Sequence, residues 1–254
     1  MRLKYYRHAT FLLKIDNSRI LVDPMYMKKG CIPPVPSTPR LQRNPLENFP
    51  EKYPKMSAED VLLITHHHFD HFDSVAAKKL SKQLSIVTPA NGFKRLRRKG
   101  FRKIIPMHPG QELDIKGFKI HAVPVKHTQR LQGMLYKPGL GYLIQYSKGT
   151  IYISGDTILF KELPDCLNKF RLDLAIFYGG AARIPLLGRH TLSAEEILSL
   201  IKDINPRNSA IIHLNALNHC TESCLDVRKW LDSADLSAKV ILPLPGEECV
   251  FDFL

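Results

Sequence analysis

Residues Thr65–Asp73 read THHHFDHFD, which places four histidines and two aspartates within nine positions. Imidazole and carboxylate are side chains that hold zinc and similar divalent ions, and such a site needs several of them to converge. A histidine-rich surface loop and a chance run of composition are the competing explanations. Register argues for the ion. His66, His68, Asp70 and His71 form H-x-H-x-D-H directly after the apolar run DVLLIT, so the ligand atoms would leave a sheet edge from a rigid base. One short loop cannot surround an ion, but further candidates stand at equivalent places: His127 after HAVPVK, Asp156 after TIYISG and His213 at the end of SAIIH. A lone histidine at a strand end is more often structural. Four ligand-bearing positions at the C-terminal ends of apolar runs favour metal binding. His219 follows His213 closely enough to compete for the last place.

The elements that must position these groups can be read from the pattern. ATFLLKI and RILVDP, separated by the polar DNS, predict a β-hairpin whose second strand is closed by Asp23. Eight of the 18 prolines fall between Pro24 and Pro54, a stretch of little periodicity that predicts either a lid or a plain surface insertion. Beyond DVLLIT the expected order is helix SVAAKKLSKQL, strand SIVTP and helix NGFKRLRRKG closed by Gly100. Short strands KIIPM, ELDIKG, FKIHAVPVK, GLGYLIQY and TIYISG come next. The last part alternates strand LDLAIFY, helix SAEEILSLIKDI, strand SAIIHL, helix CLDVRKWLDSA, strand KVILPLP and a short CVFDF. Strand-rich halves that each carry helices predict two sheets packed face to face with helices outside. No repeat of fixed short period and no linker is visible, so residues 1–254 are expected to form a single domain with the Pro-rich insertion at about 24–54.

With 44% hydrophobic residues in 254 positions, a sizeable core is available. Five scattered cysteines without a CxxC pair speak against a disulfide framework and a thiolate zinc site. No apolar run is long enough for a signal peptide or a membrane span, and a cytoplasmic location is expected. The formal charge of +13 favours anionic partners. The basic run Lys94–Lys103 reads more readily as a solvated helix face than as a nucleic-acid surface. Ser193 and Glu196 have capping-box spacing.

Taken together, the motifs resemble the metallo-β-lactamase superfamily, and within it the branch of ascorbate-6-phosphate lactonase, small metal-dependent hydrolases and the N-acylphosphatidylethanolamine phospholipase D type. The likeness runs from RHATFLLKIDNSRILVDP through THHHFDHFD, GLGYLIQYSKGTIYISGDTILF and RHTLSAEEI to NPRNSAIIHL, most of the chain. It implies an α+β fold, a four-layer αββα sandwich, with two divalent metal ions between the loop edges of the sheets. Zinc is the favoured ion, with manganese and iron as alternatives. Carried over by position, His66, His68 and His127 would hold the first ion, and Asp70, His71 and His213 the second, with Asp156 bridging. Asp23 would orient a ligand histidine through its other ring nitrogen; His8 and His190 are candidates for substrate contact, against a packed core histidine for His8 and a surface residue for His190. Relatives often read P-x-H-Y where this chain has IIHLNALNH, a departure that bears on His213 and His219.

The resemblance further implies hydrolysis by a hydroxide held between the ions, with Asp70 orienting it and accepting or relaying a proton. Flavodiiron relatives carry a carboxylate where His68 stands, and common zinc β-lactamases a cysteine where Asp156 stands. What remains is an ester, lactone or phosphodiester in a small, anionic molecule, with Lys126, Arg183 and Arg189 expected near the rim. The alternative is a non-catalytic metal-binding or nucleic-acid-binding protein that keeps the fold. Nucleic acid is the less favoured partner, and a homo-oligomer is left open.

Overall fold

Alternation with period two sorts the opening strands between two faces. The computed structural model describes residues 1–36, 38, 40–128 and 139–253. Its first half contains β1 (Arg2–Arg7), β2 (Thr10–Ile15), β3 (Ser18–Val22), β4 (Val61–Leu63), α1 (Ser74–Lys79), β5 (Ser85–Pro89), α2 (Phe93–Arg98) and β6 (Lys103–Met107). The second half opens with the strands β7 (Glu112–Ile115), β8 (Phe118–Pro124), β9 (Leu140–Tyr146) and β10 (Gly149–Ile153). It continues with α3 (Glu162–Leu167), β11 (Leu174–Tyr178), β12 (Arg183–Ile184), β13 (Gly188–Arg189), α4 (Ala194–Ile204), β14 (Asn208–Ile212), α5 (Cys224–Ser233), β15 (Val240–Ile241) and β16 (Glu248–Val250).

Two seven-stranded mixed sheets result, ordered β16-β1-β2-β3-β4-β5-β6 and β15-β14-β11-β10-β9-β8-β7. Leu3, Phe11, Leu13 and Ile20 of the first sheet share one core with Ile120, Tyr142, Ile144, Ile151, Ile153 and Ile176 of the second. Each fully buried branched side chain there contributes roughly 1.5–3 kcal/mol. On the outer face of the first sheet, Leu12, Leu21, Leu62 and Ile86 pack against Ala76, Leu80 and Leu96 of the α1 and α2 regions. On the outer face of the second, Leu143, Tyr152, Ala175 and Phe177 pack against Leu163, Ile197, Ile201, Val227 and Leu231 of α3, α4 and α5. The layers are therefore α, β, β, α, as the sequence pattern predicts. None of the helices described is long and apolar enough to cross a membrane.

The differences from expectation are local. α1 stops at Lys79 rather than Leu84: Leu80 turns extended, and the Lys82 ammonium takes the freed Ala77 carbonyl. β15 is confined to Val240–Ile241, because Pro243 and Pro245 cannot donate to a ladder. α3 has no counterpart in the sequence reading, since Pro164 lies inside it. The helix predicted over NGFKRLRRKG starts as a 3-10 turn at Ala90–Gly92, and Gly100 follows its end at φ +87. Ser193 does cap α4 in a capping box with Glu196. Within the Pro-rich stretch, of which Ser37 and Pro39 lie outside the described residues, the backbone is tied down by an Ile32–Asn44 bridge and by buried side chains.

Candidate metal centre

The site is built from the C-terminal ends of strands. β4 delivers the histidine run, and its first members split by direction. His67 points outward, with its Nε2 2.7 Å from Thr88 Oγ1 and its carbonyl accepting from Arg95 at 2.8 Å. A Cβ on Gly92 would stand 1.6 Å from that His67 ring, so only glycine fits there. His66 and His68 turn the other way, with His66 Nε2 and His68 Nδ1 2.9 Å apart.

Asp23, past the end of β3, organises the floor. Its fully buried carboxylate accepts from Thr65 N at 2.8 Å, Thr65 Oγ1 at 2.5 Å, Tyr178 OH at 3.1 Å and His71 Nδ1 at 2.8 Å. His71 is thereby oriented with Nδ1 protonated and Nε2 facing the site. Thr65 Oγ1 also lies 3.1 Å from His66 Nδ1, which extends the hold of Asp23 to a second histidine. Burial pushes the Asp23 carboxyl above its ordinary range, against the pull of His71 and Thr65.

Ligand atoms converge in three overlapping sets: His66, His68 and His127; His66, His71 and Asp156; and Asp70, His71, His213 and His8. Asp156 stands in the middle, its Oδ2 3.6 Å from His66 Nε2 and its Oδ1 3.4 Å from both His71 Nε2 and His213 Nε2. Gly155 before it has φ +60, and a Cβ there would meet the Leu140 carbonyl at 2.8 Å. Burial alone would raise the carboxyls of Asp70 and Asp156. His71 and the other imidazoles outweigh it and hold both well below the usual range. Burial pushes His66, His68 and His213 down and His127 down to about 4. For His71 burial is outweighed by Asp156, Asp70 and Asp23, which hold it well above its ordinary value.

Sequence reasoning placed His8 and His190 beside substrate; the structure gives each an inner partner. His8, fully buried at φ +56, has its Nε2 3.2 Å from Asp70 Oδ2 and its ring centroid 3.7 Å from that of His213. The Nδ1 of His190 lies 2.6 Å from the His127 carbonyl. Of the basic residues expected at the rim, Arg189 is paired with Glu196, while Lys126 and Arg183 are exposed. His213 belongs to a converging set of ligand atoms; His219 does not, among the described residues. Thr65 and Tyr178 were missed as site residues. Tyr178 ends the apolar run LDLAIFY, the same strand-end position that singled out the histidines.

His71 Nε2, His213 Nε2 and Asp156 Oδ1 are buried without a hydrogen-bond partner. Buried polar atoms left in this way cost about 1–3 kcal/mol each, so inward-facing lone pairs of this kind fit a cation as their missing partner. The donor set of imidazole nitrogens and carboxylate oxygens is that of zinc and its neighbours.

Residues 2–212 match the beta-lactamase superfamily domain. The chain belongs to the metallo-β-lactamase superfamily. Among curated relatives in the superfamily, it is similar to the UPF0173 protein YddR of Bacillus subtilis, at 26% identity over 99% of this chain and 100% of that one. It is also similar to the UPF0173 metal-dependent hydrolase NEQ378 of Nanoarchaeum equitans, at 29% identity over 85% of this chain and 84% of that one. A solved isothiocyanate hydrolase from Delia radicum gut bacteria superposes with a TM-score of 0.89 at 25% identity, each chain covered over 100%. Igni18, a metallo hydrolase of Ignicoccus hospitalis, superposes at 0.72 with 22% identity, over 100% of this chain and 99% of that one. For this metallo-β-lactamase superfamily member, the last comparison speaks to fold alone.

Proposed function

We propose that this chain, a metal-dependent hydrolase of the superfamily, works as a single domain on two divalent ions, zinc foremost, and cleaves an ester, lactone or phosphodiester bond in a small anionic molecule. The observation that carries the reading is the convergence of the ligand sets on inward-facing atoms of His71, His213 and Asp156, where the Asp156 oxygen stands 3.4 Å from each imidazole nitrogen without a hydrogen bond. His66, His68 and His127 would hold one ion, Asp70, His71 and His213 the other, and Asp156 both. When bound, the ions supply a water acidified towards neutrality and an electrophile for the scissile group.

The chain's own residues set the rest. Asp70 stays ionised at neutral pH because His71 and His8 outweigh its burial, and so it can take the proton of an attacking water. His8 fixes that carboxylate. Burial pushes its imidazole down to about 4, its Nδ1 has no hydrogen-bond partner, and its Nε2–H therefore donates to Asp70 Oδ2. Asp23 keeps His71 in the tautomer that faces the ions. The test is elemental analysis of purified protein with turnover of bis(p-nitrophenyl) phosphate and an aryl lactone. Well-folded protein without divalent ions would sink the reading.

A second reading rests on the likeness to the isothiocyanate hydrolase over the full length of both chains. Exposed Phe69, between His68 and Asp70, and Leu186, on the turn whose Leu187 carbonyl accepts from Thr128, would offer an apolar organic group contacts near the mouth. Water adding to the central carbon of an isothiocyanate, with cleavage of the C–N bond and protonation of nitrogen, gives an amine and carbonyl sulfide. Release of amine from benzyl isothiocyanate, set against release of nitrophenol from the phosphodiester, separates the two.

A further inference from the structure

Asn218 is a fully buried amide around which distant chain has folded. Its Oδ1 accepts from Val35 N at 3.0 Å and from Asn44 Nδ2 at 2.7 Å. Its Nδ2 faces the Val35 carbonyl at 2.9 Å, Thr38 Oγ1 at 2.6 Å and the Arg40 carbonyl at 2.8 Å. Its own N–H donates to Asn44 Oδ1 at 2.9 Å, and Leu46 N donates to the Ala216 carbonyl at 2.8 Å. The Pro-rich stretch is thus clamped onto the loop that follows β14. From the other side Arg7, also fully buried, donates to the carbonyls of Met25, Met27 and Glu47. Met25, Met27 and Ile32 then pack with Ala182, Leu217 and Cys220. The described residues of the stretch are thus braced from both sides.

The residue after this clamp is His219. Its carbonyl accepts from Arg183 N at 2.9 Å, which pins the other side of the loop to β12. The side chain is 8% exposed, and Nδ1 is buried with no hydrogen-bond partner. Its neighbour Cys220 has Sγ 3.4 Å from the His213 carbonyl, which brings this loop against the deep ligands, and Asp70, Asp156, His71 and His68 act on the ring electrostatically, yet it joins none of the converging sets among the described residues. A ring next to a site, outside its ligands and held by dedicated hydrogen bonds, with Nδ1 closed off, is placed to meet what enters through its other nitrogen, Nε2. Burial keeps the ring neutral near pH 7, leaving it one donor and one acceptor nitrogen.

We propose that His219 is a substrate-contacting residue that hydrogen-bonds a polar atom of the bound molecule, and that Asn218 is the positioning residue that holds it there. The inference rests on the hydrolytic reading of the site and deepens it. The test uses the metal-loaded full chain, with inorganic phosphate as a binding probe and bis(p-nitrophenyl) phosphate as the turned-over compound. His219→Gln should keep the metal content and thermal midpoint of the wild type while the dissociation constant for phosphate and KM both rise about tenfold, the loss of one hydrogen bond, and kcat changes less. Asn218→Ala should raise KM in the same direction and speed hydrogen exchange at the amides of Val35, Asn44 and Leu46. Should that variant not fold, Asn44→Ala, which removes only its two side-chain bonds to Asn218, must show the same pattern in weaker form. Loss of an ion in His219→Gln makes His219 a ligand and overturns the proposal, as does an unchanged phosphate constant. Faster exchange with unchanged KM in the Asn218 and Asn44 variants overturns the positioning role. Wild-type protein that takes up no divalent ion overturns both this and the hydrolytic reading, whereas loaded, active wild type beside an indifferent His219→Gln overturns this one alone.

Discussion

Two halves of the ligand cluster are made of similar side chains and are supported in different ways. Asp70, His71 and His213 sit deep. Asp23 grips His71, His8 grips Asp70, and the His8 and His213 rings meet at a tilt of 37° while the His213 N–H donates to the His8 carbonyl at 3.0 Å. His66, His68 and His127 lie further out. Thr65 contacts His66, the Asp156 carbonyl lies 3.2 Å from His127 Nδ1, and His68 is only half-buried. The charge states differ as well: carboxylates hold His71 well above its ordinary value, while burial keeps the outer imidazoles neutral. Enclosure with several carboxylates makes a preorganised anionic pocket; enclosure without them makes a neutral one.

The comparison can be broken in four ways. Asp156→Ala, which removes the carboxylate between the halves, should bring loss of both ions and of turnover to the detection limit, read by elemental analysis and the phosphodiester assay. Asp23→Asn should weaken metal affinity or activity by about 10- to 100-fold, and a competing chelator should show the deep half affected more than the outer one. Equal weakening would mean that the Thr65 relay to His66 matters as much as the direct bond to His71.

Protonation gives the third. At neutral pH, loading the outer half should release almost no protons, whereas loading the deep half should release about one, from His71. Calorimetry in buffers of different ionisation enthalpy counts them. In chelator-stripped protein, His8 and His127, each pushed from 6.5 to about 4, contribute stability that is present above pH 6.5 and lost as pH falls towards 4. The loss is up to about 3 kcal/mol for each. His71 works in the opposite sense: its contribution is complete below pH 6.5 and fades as pH rises through its elevated value. Stripped protein whose melting temperature does not fall between pH 6.5 and 4 would contradict the burial of the first two. The smallest effect belongs to the outward brace. Arg95→Ala removes an exposed hydrogen bond to the His67 carbonyl and should cost about 0.5 kcal/mol in denaturant unfolding, with metal content unchanged.

The ligand candidates were legible because strand ends carry a local signature, an apolar run that stops at a histidine or aspartate. His66, His127, Asp156 and His213 all follow that rule. Arg7 and Asn218 do not. Asn218 is one polar residue in a polar loop, and its partner Asn44 lies 174 positions away, a separation that no local pattern encodes. The two-residue strands β12 and β13 and the Pro-containing α3 fall below the length at which periodicity carries a signal. The direction of His8, inward onto Asp70, depends on a left-handed backbone that sequence alone leaves open.

Strand connections in the two sheets follow one scheme. β1, β2 and β3 run antiparallel and hand over to parallel β4, β5 and β6; β8, β9 and β10 run antiparallel and hand over to parallel β11, β14 and β15. Under that correspondence His8, past β1, matches His127, past β8, and Asp23, past β3, matches Asp156, past β10. Fusion of two copies of a half-length ancestor would leave such a layout behind. The two aspartates at these matching places divide the labour, Asp23 holding a ring and Asp156 facing the cluster.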